Sequence, residues 1–257
     1  MTTSKTGQIV WHDLFTSNRE RTIAFYESVA GWSYQFERAT DFAWGGGEKD
    51  FVLALSGDEA GAGFAETPPS FENGWIAYVE VADVDAAVAL AEKHGGAIVR
   101  QPFDVPGVGR NALVRDPLGA LVGISLSRHD FPVPHQQFGP EVYLSEEAGF
   151  PEAFYAQVFG WRVPQSQKPE HRGIAIVGPL REPLAFHRPE IQYTGSQATW
   201  LPSINVSSPE KAWQTAEALG ARSLAKNATG PSEKYGLILC DTDGAIFRLS
   251  EAQTGSP

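Results

Sequence analysis

Short β-like runs and helical segments alternate along the chain. The stretch VWHDLFT at 10–16 is typical of a strand, and the apolar positions of residues 19–30 have helical spacing. Gly31 follows this segment directly, at the position where glycine commonly ends a helix. The same order begins again with a strand over 76–81 and a helix that starts near DVD at 83–85. The pattern predicts consecutive β-α-β-β-β units.

The two halves of the chain carry similar stretches in the same order. AFYESVAGW returns later as AFYAQVFGW, with six of nine positions identical. The second half has further helical segments near 150–159 and 209–219, and the Pro-rich stretch at 129–140 is typical of a linker. We therefore expect two domains, 1–130 and 131–257, each made of two β-α-β-β-β units. The matching pairs are 24–32 with 153–161, 79–99 with 204–224, and 116–125 with 241–250.

Composition narrows the class of partner. The chain has 257 residues and a formal net charge of −11, which opposes binding to nucleic acids and anionic membrane surfaces because both select basic patches. No run approaches the roughly 20 apolar residues of a membrane span, and the first residues lack the apolar core of a secretory signal. Cys240 is the single cysteine, which excludes an internal disulfide. We expect a cytoplasmic protein, monomer or homodimer, that binds a small molecule.

The order of the motifs resembles the vicinal oxygen chelate superfamily, which includes glyoxalase I, extradiol dioxygenases and bleomycin-resistance proteins. The resemblance rests on AFY…GW, on DVDAAVALAEKHGG and on GVGRNALVRDPLGALVGIS, and it covers nearly the whole chain. The doubled arrangement is similar to tandem glyoxalase-like proteins of comparable length. The resemblance implies an α+β fold in which four β-α-β-β-β units form two curved mixed sheets, each enclosing a cleft.

Enzymes of this family hold a divalent metal through four side chains, two on first strands, typically His, and two on last strands, typically Glu. Counting from the motifs places Trp11 and Ile76 at first-strand positions of the N-terminal cleft and Gly123 at a last-strand position. Leu201 and Arg248 take two such positions in the C-terminal cleft. Trp, Ile and Leu offer no lone pair, Gly has no side chain, and an arginine repels a cation. We therefore predict neither a metal site nor another cofactor.

The neighbours His12 and Asp13 have opposite predicted directions. Side chains alternate along a strand, so Trp11, Asp13 and Phe15 are expected to face the cleft. His12 then points to the other side, beneath the helix. We interpret His12 as a hydrogen-bonded residue at a packing or interface position rather than a metal ligand.

Three charged residues are candidates for chemistry. Asp13 and Glu141 are expected at related cleft positions, where burial beside aromatic residues would raise a carboxyl pKa and suit it to acid/base catalysis. Arg248 is expected to face the second cleft and to meet an acidic group or an anionic ligand. The alternative is that these carboxylates form ion pairs that hold the repeats together, with Arg110 as one partner.

The remaining cleft candidates are aromatic, apolar or polar side chains on strands and loops. Phe42 and Trp44, beside GGGE at 45–48, form a candidate lid, and His187 is expected at the surface or in a turn. The predicted ligand-binding residues are Trp11, Phe15, Ile76, Tyr78, Glu80, Arg110, Tyr143, Leu201 and Tyr235.

The sequence thus predicts metal-independent binding of a small apolar, aromatic or anionic organic molecule. Sequestration, as in antibiotic resistance, and acid/base cyclisation or isomerisation in natural-product metabolism both fit, so whether the protein is an enzyme stays open. The alternative is a metal-dependent lyase, isomerase or dioxygenase with His12, Glu141 or His187 among its ligands. A third possibility is an interaction module with vestigial clefts.

Overall fold

A computed structural model describes most of the chain in two sheets and four helices. The helices among the described residues are α1 (Arg19–Ala30), α2 (Val84–Lys93), α3 (Glu152–Phe159) and α4 (Pro209–Ala218). The described residues are 5–40, 48–67, 71–145, 149–165, 173–180, 183–188, 197–224 and 238–252.

The first sheet has eight strands from the N-terminal half, in the order β2-β3-β4-β1-β5-β8-β7-β6. Its two central strands are antiparallel, and each is paired in parallel with the last strand of its own unit, β1 with β4 and β5 with β8. The strands are β1 (Ile9–Thr16), β2 (Ser33–Thr40), β3 (Glu48–Ser56), β4 (Glu59–Glu66), β5 (Gly74–Glu80), β6 (Ala97–Val105), β7 (Gly109–Arg115) and β8 (Leu121–Ser127).

The second sheet repeats this plan with seven described strands in the order β10-β11-β9-β12-β15-β14-β13. Its third unit differs from the prediction, because only two described strands follow α3, where Arg162 and Val177 form an isolated bridge. The predicted α+β class with two mixed sheets is confirmed. The strands are β9 (Phe138–Leu144), β10 (Ile174–Val177), β11 (Pro183–His187), β12 (Thr199–Val206), β13 (Arg222–Ser223), β14 (Ile238–Cys240) and β15 (Ile246–Glu251).

Local sequence explains where α1 begins and ends. The Asn18 side chain accepts a hydrogen bond from the backbone N–H of Arg21, which caps the first turn. Gly31 follows with φ of 70°, a left-handed conformation that glycine adopts without steric cost. The predicted helix over residues 19–30 is therefore confirmed to the residue.

The helices fill the layer between the two sheets and join the halves. α1 packs against α4, and α2 packs against α3, so each pair contains one helix from each half. One apolar core surrounds α2 and α3 and the other surrounds α1 and α4, and both contain residues of both halves. The division at residue 130 stays a prediction, since neither half has a core of its own in this layer.

The repeated motifs supply polar links across the same layer. Tyr26, from AFY of the first half, donates a hydrogen bond to Asp241 (3.1 Å) and accepts one from Trp75 (3.2 Å). Tyr155, from AFY of the second half, donates to Asp116 (2.9 Å) and accepts from Trp200 (2.6 Å). Each tyrosine therefore hydrogen-bonds an aspartate of the other half, in the turn that precedes the last strand of a unit.

Each sheet also has a second, helix-free face. On the first sheet this face carries Phe15, Ile76, Tyr78 and Leu113, all buried, and we call it the first cleft. Side chains from outlying strands, among them Phe103 on β6, pack on the same cluster, so the sheet curls around it. The second cleft is the corresponding face of the second sheet, with Val142, Leu144, Leu201 and Ile238.

No helix among the described residues is long and apolar enough to cross a membrane.

Candidate functional site

The first cleft has a buried carboxylate near its centre. Asp13 lies on the central strand β1 and is 6% exposed. Trp11 donates an indole N–H to its Oδ1 at 2.8 Å, and the Tyr78 hydroxyl lies near enough to act on its pKa. Burial raises the pKa of Asp13 to about 6, although Trp11, Tyr78 and the charge of His12 act to lower it. Desolvation dominates, so this carboxyl changes protonation close to neutral pH.

Apolar and aromatic side chains surround Asp13. Phe15, Ile76 and Tyr78 lie on the cleft face of β1 and β5, as the alternation of side chains predicts. Burial, followed by the charge of Asp13, raises the Tyr78 pKa well above its ordinary value, so Tyr78 stays a neutral donor. The sequence placed Trp11, Asp13, Phe15, Ile76 and Tyr78 on this face, and these five lie together there. Their part in binding stays a proposal.

The donor set of the first cleft does not fit a divalent metal. Glycines occupy the two last-strand positions where the family pattern expects metal-binding carboxylates. Gly63 on β4 pairs with Asp13, and Gly123 on β8 pairs with Tyr78. A methyl group added at Gly63 would overlap the ring of Phe51, and one added at Gly123 would overlap the ring of Tyr78. Aromatic rings therefore fill the space over the glycines where the family pattern expects carboxylates.

The rest of the described chain offers no metal site of His, Cys, Asp or Glu side chains either. Nowhere in it do three or more His, Cys, Asp or Glu side chains come close enough together to hold a metal ion.

The predicted direction of Glu141 and Tyr143 is wrong. Val142 and Leu144 face the second cleft, while Glu141 and Tyr143 point into the layer between the sheets. Glu141 lies 129 residues after His12, the same offset that separates the two AFY motifs. It therefore corresponds to His12, and Val142 corresponds to Asp13. Applying the offset of the AFY repeat to β1 would have located this register.

Glu141 forms an ion pair or hydrogen bond with His12, its equivalent in the first half. Its Oε1 lies 2.9 Å from His12 Nε2, and both side chains are buried. Desolvation raises the pKa of Glu141, and the nearby His12 opposes that shift. His12 also stacks on Phe138, with ring centroids 3.9 Å apart. The interpretation of His12 as a hydrogen-bonded interface residue agrees with this geometry.

Tyr143 and His187 are core residues rather than cleft residues. The Tyr143 hydroxyl donates to Asp116 at 2.7 Å. His187 is 4% exposed, packs edge-on against Tyr143 and lies 3.2 Å from Ser145 Oγ. The expectation of a surface or turn histidine is wrong, because β11 continues to His187 and turns its side chain toward the helices.

Arg110 and Glu80 have structural partners. Arg110 binds Asp85 at 2.8 Å and Asp104 at 2.9 Å at the surface, so the expected pairing with a cleft carboxylate is wrong. Glu80 accepts hydrogen bonds from the backbone N–H and the hydroxyl of Ser127, which fastens the end of β5 to β8.

The three predicted catalytic residues do not meet. Asp13 is in the first cleft, Glu141 lies between the sheets, and Arg248 is on the second sheet, where it donates to Ser203 Oγ at 3.2 Å. Leu201 lies in the second cleft as predicted. Tyr235, Phe42 and Trp44 lie outside the described residues.

Sequence reasoning missed polar residues at the β6–β7 side of the first cleft. Arg100 lies with its guanidinium carbon 3.6 Å from the centre of the Phe103 ring, and Phe103 packs on the cleft cluster. Asn111 and Ser125 are register partners on β7 and β8 and face the same side of the sheet. Single polar residues within β-like runs give no periodic signal, so only the strand register locates them.

Both halves of the chain match families of known proteins. Residues 8–124 match the Glyoxalase/Bleomycin resistance protein/Dioxygenase superfamily, and residues 145–250 match a glyoxalase-like domain. CFP32 of Mycobacterium tuberculosis, provisionally named a glyoxylase, is 29% identical over 254 residues, which cover 93% of this chain and 92% of CFP32. The anthracycline biosynthesis protein DnrV of Streptomyces peucetius is 27% identical over 135 residues, which cover 48% of each chain.

Solved structures share the fold at low sequence identity. A mutant of 4-hydroxymandelate synthase from Streptomyces coelicolor has a TM-score of 0.60 at 9% identity, covering 99% of this chain and 95% of its own. A variant of homoprotocatechuate 2,3-dioxygenase from Brevibacterium fuscum has a TM-score of 0.58 at 14% identity, covering 97% and 73%. These likenesses concern the fold alone.

Proposed function

Because the chain belongs to the glyoxalase/bleomycin resistance/dioxygenase superfamily, we propose that its first cleft binds a small aromatic molecule without a metal ion and that Asp13 exchanges a proton with it. The observation that carries this proposal is the position of Asp13, a buried carboxyl with a pKa of about 6 among aromatic side chains. A perturbed carboxyl in an apolar cleft is the usual setting of a general acid or base.

The protonation state of Asp13 sets the direction of the chemistry. Near pH 6 both forms are populated, so the carboxylate accepts a proton from a ligand C–H or O–H and returns it at another atom. Such a transfer is an isomerisation, or the proton step of a cyclisation, and it needs neither an oxidant nor a reductant. Trp11 holds the carboxyl in place through its hydrogen bond, with Tyr78 beside it.

Two features support an aromatic ligand. Aromatic side chains from several strands surround the cleft, including Phe15, Phe51 and Phe103, and stacked or edge-on rings bind one another favourably. A relative named for anthracycline biosynthesis supports a place in natural-product metabolism.

Metal-dependent chemistry is not favoured in the first cleft. Glycines and apolar side chains hold the positions that the family pattern gives to ligands, and Phe51 and Tyr78 fill the space above those glycines. The alternative ligands His12, Glu141 and His187 all point into the layer between the sheets. We therefore derive no step through a metal.

The test is a ligand screen followed by one substitution. Thermal unfolding is measured with a panel of hydroxylated aromatic compounds, and compounds that raise the unfolding temperature are assayed for turnover. Asp13→Asn is expected to lower the turnover rate at least about hundredfold, the scale of a lost general acid or base. Asp85→Asn, at an exposed carboxylate, is the matched control and is expected to leave the rate unchanged.

The outcomes separate three functions. Stoichiometric binding without turnover of any bound compound would favour sequestration over catalysis. Turnover that needs an added divalent metal and survives Asp13→Asn would contradict the proposal. Failure of the whole panel to bind would favour an interaction module.

A further inference from the structure

Asn111 is a buried polar side chain on the cleft side of β7. It is 6% exposed. Its neighbours Ala112 and Val114 belong to the helix-side core, whereas Leu113 belongs to the first cleft. Side chains alternate along a strand, so Asn111 faces the first cleft with Leu113. The side-chain amide of Asn111 has no hydrogen-bond partner among the described residues.

Ser125 on β8 lies directly opposite Asn111, and its side chain is also buried on the cleft side of the sheet. The two residues are register partners, and Ser125 is also 6% exposed. Ile124 points into the helix-side core, which places the Ser125 hydroxyl on the cleft side. Across the other edge of β7, the register partner of Asn111 is Phe103, an aromatic residue of the cleft cluster. The described residues offer no hydrogen-bond partner for the Ser125 hydroxyl either.

Other buried polar residues on these strands have partners within the protein. Glu80, next to Ser125 in the register, is fastened to Ser127. Neither group is among the fully enclosed polar atoms that lack a partner, so the Asn111 amide and the Ser125 hydroxyl reach solvent and can bind a ligand. Such groups are satisfied by a ligand or by water that a ligand displaces.

We propose that Asn111 and Ser125 hydrogen-bond a carbonyl or hydroxyl group of the ligand at the end of the first cleft away from Asp13. The inference rests on the proposed function of that cleft and specifies its ligand. An amide and a hydroxyl both donate and accept but carry no charge, so they recognise a neutral oxygen group rather than an ion.

The strand order sets the length of the ligand. Asp13 is on β1 and Asn111 on β7, three strand spacings apart in the order β1-β5-β8-β7. At about 4.8 Å per spacing, the two residues are about 14 Å apart across the sheet. The register adds about 13 Å along the strands, because Asp13 is level with Ile76 and Asn111 is level with Glu80. A single ring does not reach both. The proposed ligand is therefore an extended aromatic compound with oxygen groups at both ends, and a rigid fused-ring compound is a suitable probe.

The experiment compares two probes that differ in length. A dihydroxynaphthacenequinone has four fused rings, and a dihydroxynaphthoquinone has two. Dissociation constants of both are measured by titration on the full-length protein, on Asn111→Leu and on Ser125→Ala. Leucine has nearly the shape of asparagine, and Asn111 makes no side-chain hydrogen bond to the described protein, so the variant is expected to keep its unfolding temperature.

We expect Asn111→Leu to weaken binding of the four-ring probe at least tenfold and of the two-ring probe less than twofold, with a smaller loss for Ser125→Ala. Asn205→Leu is the matched control, because Asn205 hydrogen-bonds Ser250 and the backbone of Gln136 in the second sheet. It is expected to lower the unfolding temperature and to leave both dissociation constants unchanged.

Three results overturn the inference. Equal weakening of both probes in Asn111→Leu, or no weakening, removes the role of Asn111 and leaves the proposed function standing. A fall in the unfolding temperature of Asn111→Leu as large as that of Asn205→Leu shows a structural role. Failure of both probes to bind the unmodified protein overturns the inference together with the proposed function.

Discussion

His12 and Glu141 occupy equivalent positions in the two halves of the chain and bind each other across the layer between the sheets, with Nε2 and Oε1 2.9 Å apart. Both side chains are buried, and the second carboxylate oxygen of Glu141 has no hydrogen-bond partner among the described residues. The pair therefore holds the two halves together at the cost of desolvating a carboxyl group.

Removing both members of this pair is expected to destabilise the fold by less than the sum of the two single removals. His12→Leu and Glu141→Leu are each expected to lower the free energy of unfolding by about 3 kcal/mol, because each leaves a buried polar partner unpaired. The double variant is expected to lose less than the sum of the two. Urea unfolding of the four proteins measures the coupling, and additive losses would show that the two residues do not interact.

The pKa of Asp13 predicts a stability that falls with rising pH. Its pKa is about 6 in the folded protein, above the ordinary aspartate value of 3.8, so folding favours the protonated form. Stability from this group is complete below about pH 4 and is lost as the pH rises through 6. Asp13→Asn, which stays neutral, is expected to exceed the unmodified protein in unfolding free energy by about 3 kcal/mol at pH 8.

Chemical unfolding of both proteins between pH 4 and pH 8 measures this difference. Other buried carboxyls titrate equally in both proteins and cancel in the comparison. A difference that is constant across this pH range would mean that the Asp13 pKa is not raised.

The cost in stability of adding a methyl group at Gly123 is expected to depend on the Tyr78 ring. Gly123→Ala places a methyl group where the Tyr78 ring lies, so the ring must shift. We expect a loss of about 1–3 kcal/mol of stability, as is typical of overpacking. In a Tyr78→Leu background the same substitution is expected to cost clearly less. Thermal unfolding of the four proteins tests this, and an equal cost in both backgrounds would contradict the observed contact.

The tyrosines of the two AFY motifs are expected to stabilise the joined halves. Tyr26→Phe leaves Asp241 and Trp75 without a shared hydroxyl, and Tyr155→Phe does the same to Asp116 and Trp200. Each substitution is expected to lower the unfolding free energy by about 1–3 kcal/mol, the cost of an unsatisfied buried group. Denaturant titration measures the loss. Values near zero would mean that water replaces the hydroxyl.

Much of the first unit could be predicted from the sequence, because α1 follows β1 after only two residues. The helix over 19–30 fixes the position of β1, and alternation then gives the directions of Trp11, Asp13 and Phe15. The apolar pattern does not fix the register of β9, because both faces of the second sheet are apolar. Apolar residues at Val142 and Leu144 therefore did not reveal which face was the core.

The rest of the site depends on contacts between distant segments. Arg110 finds Asp85 at the surface, a partner that its own motif does not indicate. Gly63 and Asn111 become part of the first cleft only through strand pairing. Local patterns carry no information about such neighbours.

The most direct test of the central claim is a crystal structure of the protein grown with both a divalent transition metal and the four-ring quinone. We expect planar organic density in the first cleft that extends from Asp13 toward Asn111. Anomalous scattering is expected to show no cation there. A cation held in that cleft by three or more protein atoms would contradict the account.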